Sequence, residues 1–147
     1  MARDATILLA EDESADVFLM RRALLKAGIS NLLCVVRDGE EAVEYIRGIG
    51  KFADRKTHPI PAILLLDLNM PKKSGFEVLE WVRAESELKG LPIIVLSTSN
   101  QERDIRMAYN LGANSYLTKP SNFDQLVEMV RMVEANWLRM NIQPPNA

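Results

Sequence analysis

Residues 62–84 read AILLLDLNMPKKSGFEVLEWVRA, and the fold is decided by how that stretch divides. Ala62 to Leu66 is apolar without alternation, so a strand built from it must be covered on both faces. Pro71 to Gly75 breaks the chain into a turn, and Phe76 to Ala84 resumes with helical period. A doubly covered strand, a turn and an amphipathic helix make one βα unit of a parallel sheet. The unit has one anomaly: its apolar run leaves the strand through a carboxylate, Asp67.

The same grammar recurs along the chain. Thr6 to Ala10 (TILLA), Leu32 to Val36 (LLCVV), Pro92 to Leu96 (PIIVL) and the weaker Ser115 to Leu117 (SYL) are the other apolar runs. Helical segments separate them. In Ser14 to Gly28, Val17, Met20, Leu24 and Ala27 fall on one stripe, with Ser14 as N-cap and Gly28 as stop. Glu40 to Arg47, Phe76 to Ala84 and Glu102 to Leu111 follow, the last closed by Gly112. The final helix has Asn122 three residues before Gln125, a capping-box spacing, and places Leu126, Met129, Val130, Val133 and Trp137 on one face. Five βα repeats define an α/β protein with an open parallel sheet.

Size and charge narrow the class. The chain has 147 residues, enough for one domain with a sizeable core, expected over residues 5–140 with a tail over 141–147 that Pro144 and Pro145 keep from being helical. Lys and Arg number 18 against 20 Asp and Glu, so a net charge of -2 gives no pull towards nucleic acid or an anionic membrane. The single cysteine, Cys34, reads as a buried thiol and excludes an internal disulfide or a Cys-rich zinc site. MARDATILLAEDE holds too short an apolar stretch for a signal peptide or a spanning helix, and a reducing cytoplasm is expected. Gly48 to Pro61 reads as an irregular polar loop carrying the only histidine, His58, expected in solvent.

In open parallel sheets ligands bind beyond the carboxyl ends of the strands. There the chain places Glu11 and Asp12 after the first strand, Asp67 with Asn69 after the third, Ser97 and Thr98 after the fourth, and Thr118, Lys119 and Pro120 after the fifth. Each has an ordinary reading when taken singly: a first-turn acid, a turn initiator, a cap, a solvated lysine. Their joint placement at four strand ends points to a site. Three carboxylates in one crevice, if partly desolvated, need raised pKa values or a compensating cation, and an all-oxygen set of Asp12, Asp67 and a backbone carbonyl suits Mg2+. A carboxylate beside Mg2+ and the Lys119 ammonium is placed to attack phosphorus, with the Ser97 hydroxyl as a donor to the phosphoryl oxygens.

These motifs resemble, over essentially the whole chain, the receiver domain of two-component response regulators. The matching stretches are LLAEDE, LLLDLNMPKKSG, VLSTS and GANSYLTKP. The resemblance implies a flavodoxin-like (βα)5 fold with a five-stranded sheet in the order 2-1-3-4-5. It makes Asp67 the phosphoacceptor, and Glu11, Asp12, Asp67 and the Asn69 carbonyl the Mg2+ site. Ser97 becomes the switch hydroxyl, Lys119 the phosphate-binding lysine and Tyr116 the switch aromatic, with Pro120 after a cis peptide bond. Ser74 stands where an acid is common and receives no role; Asn69 and Ser99 occupy positions that tune dephosphorylation in the family. PKKSG, the long loop Gly48 to Pro61 and ANWLRMNIQPP are similar to the regulators that partner phytochrome-type histidine kinases.

The function so implied is a phosphoacceptor signalling protein rather than an enzyme, charged by a sensor histidine kinase and read by a downstream protein. The chain has no Gly-rich nucleotide site, so the phosphoryl source lies in trans. Phosphorylation would pull Ser97 and Lys119 inward and re-set the surface formed by Glu102 to Gly112 and Tyr116. Trp81 and Trp137 read as packing residues, while the tail bearing Trp137, Leu138, Met140 and Ile142 offers a homodimer contact. Lys72, Lys73 and the Gly48 to Pro61 loop receive no assignment. An aspartyl phosphatase would need an acid at position 69, where Asn stands; a dinucleotide binder would need a phosphate cradle where AEDES stands. A receiver fold that signals without phosphorylation is the remaining alternative.

Overall fold

The structure is a computed structural model in which residues 5–139 are described. Five strands, β1 (Thr6–Ala10), β2 (Leu33–Val36), β3 (Pro61–Asp67), β4 (Ile93–Ser97) and β5 (Ser115–Thr118), pair in parallel in the order β2-β1-β3-β4-β5. They alternate with α1 (Ser14–Lys26), α2 (Gly39–Arg47), α3 (Gly75–Ala84), α4 (Glu102–Asn110) and α5 (Phe123–Val133), which continues as a π-helical turn over Glu134–Arg139. This is the flavodoxin-like winding expected from the sequence. No described helix is long and apolar enough to cross a membrane.

The continuous apolar runs arise because each strand feeds two cores. Leu8, Ala10, Val36, Leu64, Leu66 and Val95 pack with residues of α2 and α3 on one face. Ile7, Leu9, Ile63, Leu65, Ile94 and Leu96 pack with α1 and α5 on the other. Burying Ile63, Leu64, Leu65 and Leu66 yields roughly 1.5–3 kcal/mol per side chain. That sum exceeds the several kcal/mol that a buried carboxylate costs, so β3 can end on Asp67 without losing its place. Trp81 and Trp137 pack against the two cores, as expected of packing residues.

Several local expectations are corrected. Ser14 is not the cap of α1: Glu13 occupies that position without a side-chain cap bond, and Ser14 Oγ lies 3.4 Å from the Arg37 guanidinium. The Lys119–Pro120 bond is trans, the form an X–Pro bond favours when nothing in the turn demands cis, and Lys119 N donates to the Ser97 carbonyl at 2.8 Å. Cys34 is half-buried rather than buried, since β2 is an edge strand. Ser74 has a structural role, forming a capping box with Glu77 at the start of α3. Asn122 Oδ1 accepts from Gln125 N at 2.8 Å, so the spacing at α5 does mark a cap.

The Gly48 to Pro61 segment is an irregular loop, as expected, but it is anchored in the core. A 3-10 turn at Gly50–Phe52 drives Phe52 into the core, where its ring lies 5.1 Å from that of Tyr45. His58 is half-buried, edge-on to both rings, with a buried Nδ1 atom. Arg55 fastens the loop to the end of α2 by donating to the Tyr45, Ile46 and His58 carbonyls at 2.8, 2.8 and 3.2 Å. At the same end of the sheet, Arg83 donates to the carbonyls of Gly112 (2.9 Å), Leu88 (3.1 Å) and Lys89 (3.2 Å) and to Asn114 Oδ1 (2.8 Å). Leu138 is buried in the α1/α5 core and not free for a dimer contact; Met140, Ile142 and the 141–147 tail lie outside the described residues.

Candidate functional site

Strand register assembles the site. Ala10 pairs with Leu66, so Glu11 and Asp67 leave adjacent strands at one level. Asp67 pairs with Leu96 and Ser97 with Thr118, which brings the ends of β4 and β5 alongside. Glu11 and Asp67 are buried and Asp12 half-buried, and one carboxylate oxygen from each lies within 4.8 Å of the other two. The Lys119 ammonium enters from β5. It stands 2.7 Å from Glu11 Oε1 and 3.6 Å from Asp67 Oδ2. It also lies 3.1 Å from Asp16 Oδ2, on the first turn of α1.

The turn after β3 is closed tightly beneath Asp67. Gly75 N donates to the Leu68 carbonyl at 3.0 Å, and a Cβ at position 75 would meet the Asp67 carbonyl at 2.4 Å, so only glycine fits. Lys72 adopts a φ of 66°, the single non-glycine residue in the left-handed region among those described, and its ammonium lies 3.7 Å from Asp38. Asn69 is exposed, and its N–H points to Asp67 Oδ1 at 3.4 Å.

Charge in the crevice is frustrated. Burial pushes the Glu11 carboxyl up to about 7; the Lys119 hydrogen bond opposes that rise, and the neighbouring Asp67 charge adds to it. Burial works against the Lys119 ammonium, but the Glu11 hydrogen bond, the charges of Asp67 and Glu11 and the Asp16 hydrogen bond outweigh it and hold the group above its ordinary range. One lysine cannot neutralise three clustered carboxylates and Asp16. The donor set is all oxygen, which fits a hard divalent cation such as Mg2+.

Ser97 and Tyr116 are tied to the loop between β4 and α4. Ser97 is fully buried and its Oγ accepts from Ser99 N at 3.0 Å. The Tyr116 hydroxyl donates to the Ser99 carbonyl at 2.9 Å, and Ser99 Oγ donates to Asp104 Oδ2 at 2.6 Å. The loop thus contacts a site residue, β5 and α4. Asp16 and Asp104 are the residues that sequence reasoning missed. Asp16 is an acid in the first turn of the helix that leaves the acidic end of β1, and that position was the available signal.

The family model for the response regulator receiver domain matches residues 7–131, and the chain belongs to that family of signalling proteins. It is 40% identical over 132 residues to response regulator Rcp1 of Synechocystis, covering 90% of this chain and 88% of that one. The crystal structure of response regulator RPA3017, from red light signalling of R. palustris, superposes with a TM-score of 0.91 at 39% identity, covering 97% of this chain and 99% of the other. That of the phosphorylated cyanobacterial phytochrome response regulator RcpA gives 0.87 at 40% identity, covering 97% and 99%. Rcp1 has also been solved in a Mn2+-bound form, with a TM-score of 0.83 at 38% identity and coverage of 96% and 99%.

Proposed function

We propose that the protein accepts a phosphoryl group on Asp67 from a histidine kinase and signals by contacts that depend on that mark. The observation that carries the reading is the meeting of Asp67, Lys119 and the Glu11–Asp12 pair at the strand ends of a receiver fold. An Asp67 carboxylate oxygen forms the new O–P bond as the donor's P–N bond breaks, and the departing imidazole nitrogen keeps the electron pair. Lys119 is within a short movement of the phosphoryl oxygens. Ser97 turns its hydroxyl towards them, gives up the Ser99 N–H and frees the loop that Tyr116 holds. Glu11, Asp12 and Asp67, with the Asn69 carbonyl, would hold Mg2+, which when bound supplies positive charge against the transferring group.

Similarity to RcpA and to a red-light regulator supports a phytochrome-type kinase as the donor, and we infer that the transfer takes place in the cytoplasm. The downstream reader is a protein that distinguishes the two arrangements of the α4 and β5 surface. The test is incubation with acetyl phosphate and Mg2+, followed by mass measurement at neutral pH. The wild type should gain one phosphoryl group, and Asp67→Asn should gain none. A gain that persists in Asp67→Asn would refute the assignment. Transfer from phosphorylated phytochrome-type kinases should outpace transfer from unrelated kinases; equal rates would remove the phytochrome link.

A further inference from the structure

Lys119 is shared unequally among three acids, and the share that falls to Asp16 has no place in the acceptor chemistry. An ammonium has three donors. Two are committed, to Glu11 at 2.7 Å and to Asp16 at 3.1 Å, while Asp67 at 3.6 Å is beyond hydrogen-bond range. Asp16 also stands apart from the converging trio of Glu11, Asp12 and Asp67. Its side chain is 41% exposed, against 3% for Glu11 and 8% for Asp67. The favourable field at a helix N-terminus explains an acid in the first turn of α1. It does not explain why this one reaches across to a lysine on β5's far end.

From this geometry we infer that Asp16 is a positioning residue, which holds the Lys119 ammonium on the α1 side of the crevice, off Asp67, until a phosphoryl group draws it across. The inference rests on the reading of Asp67 as phosphoacceptor. Glu11 is needed in the acidic trio and is therefore a poor permanent anchor for Lys119, whereas Asp16 can keep its hold whether or not a cation sits among the other three. Asp16 then sets how much of the lysine is available to the phosphoryl oxygens. Releasing the lysine favours the phosphorylated arrangement.

The test uses fluoroberyllate, an unreactive mimic of the phosphoryl group, titrated calorimetrically into the full chain at saturating Mg2+. Asp16→Asn preserves shape on a half-exposed helix surface. It should bind fluoroberyllate roughly two- to fivefold more tightly than the wild type, the range for an ion pair of this exposure. In a Lys119→Met background, titrated to higher concentration, the same substitution should change nothing, which separates action through Lys119 from a general loss of negative charge. Unchanged or weaker binding by Asp16→Asn overturns the inference, as does an equal gain in the Lys119→Met background. If the wild type itself does not bind fluoroberyllate, the phosphoacceptor reading fails and takes the inference with it.

Discussion

The two ends of the sheet handle charge in opposite ways. At the amino ends of the strands, Arg55 and Arg83 direct their guanidinium groups at backbone carbonyls, closing the ends of α2 and α3 and the turn before β5. Each cation there has several oxygen partners. At the carboxyl ends, three carboxylates converge and a single ammonium is divided among Glu11, Asp16 and Asp67. At the first end the guanidinium charges are met within the chain, and so stabilise. The other leaves negative charge over, which under the proposed function a cation and an incoming phosphoryl group exploit.

This contrast can be broken from either side. The largest effect is expected at the satisfied end: Arg83→Met removes the donor of four hydrogen bonds and should cost about 3 kcal/mol in urea denaturation, while Mg2+ affinity is unchanged. At the unsatisfied end, Mg2+ at a hundredfold excess over its Kd should stabilise the wild type by about 2.7 kcal/mol, and Asp12→Asn should lose most of that gain. A pH series sharpens the comparison further. Glu11 has its folded pKa raised from 4.5 to about 7, so across that window the folded protein binds more protons than the unfolded chain. Without metal, its contribution should therefore lower stability as pH rises from 4.5 to 7. Glu11→Gln should flatten that fall relative to the wild type; a parallel slope would contradict it. The smallest effect belongs to a simple cap: Ser74→Ala should cost about 1 kcal/mol and leave phosphorylation intact.

What could be read from the sequence follows from the same asymmetry. Burial on both faces writes continuous apolar runs, so the five strands were legible to within about a residue, and register carried Glu11, Asp12, Asp67 and Lys119 to one place. Arg55 and Arg83 left no such trace, because a guanidinium that bonds carbonyls leaves no residue pattern; Arg83 and Gly112 are 29 positions apart. His58 reads as exposed in the sequence because a loop's polarity hides one aromatic anchor, Phe52, that folds it inward. Pro120 was expected after a cis bond on family likeness alone. Asp16 does not stand out in the sequence because a first-turn acid already has a sufficient local reason.

The central claim is that the charge left unsatisfied at the carboxyl ends serves Asp67. Its most direct test is to phosphorylate the wild type with acetyl phosphate, reduce the acyl phosphate with borohydride and locate the product by peptide mass spectrometry. Homoserine at position 67, and nowhere else, is the predicted result. Reduction at Glu11, Asp12 or Asp16 instead, or a phosphoryl group found on Ser97, would contradict it.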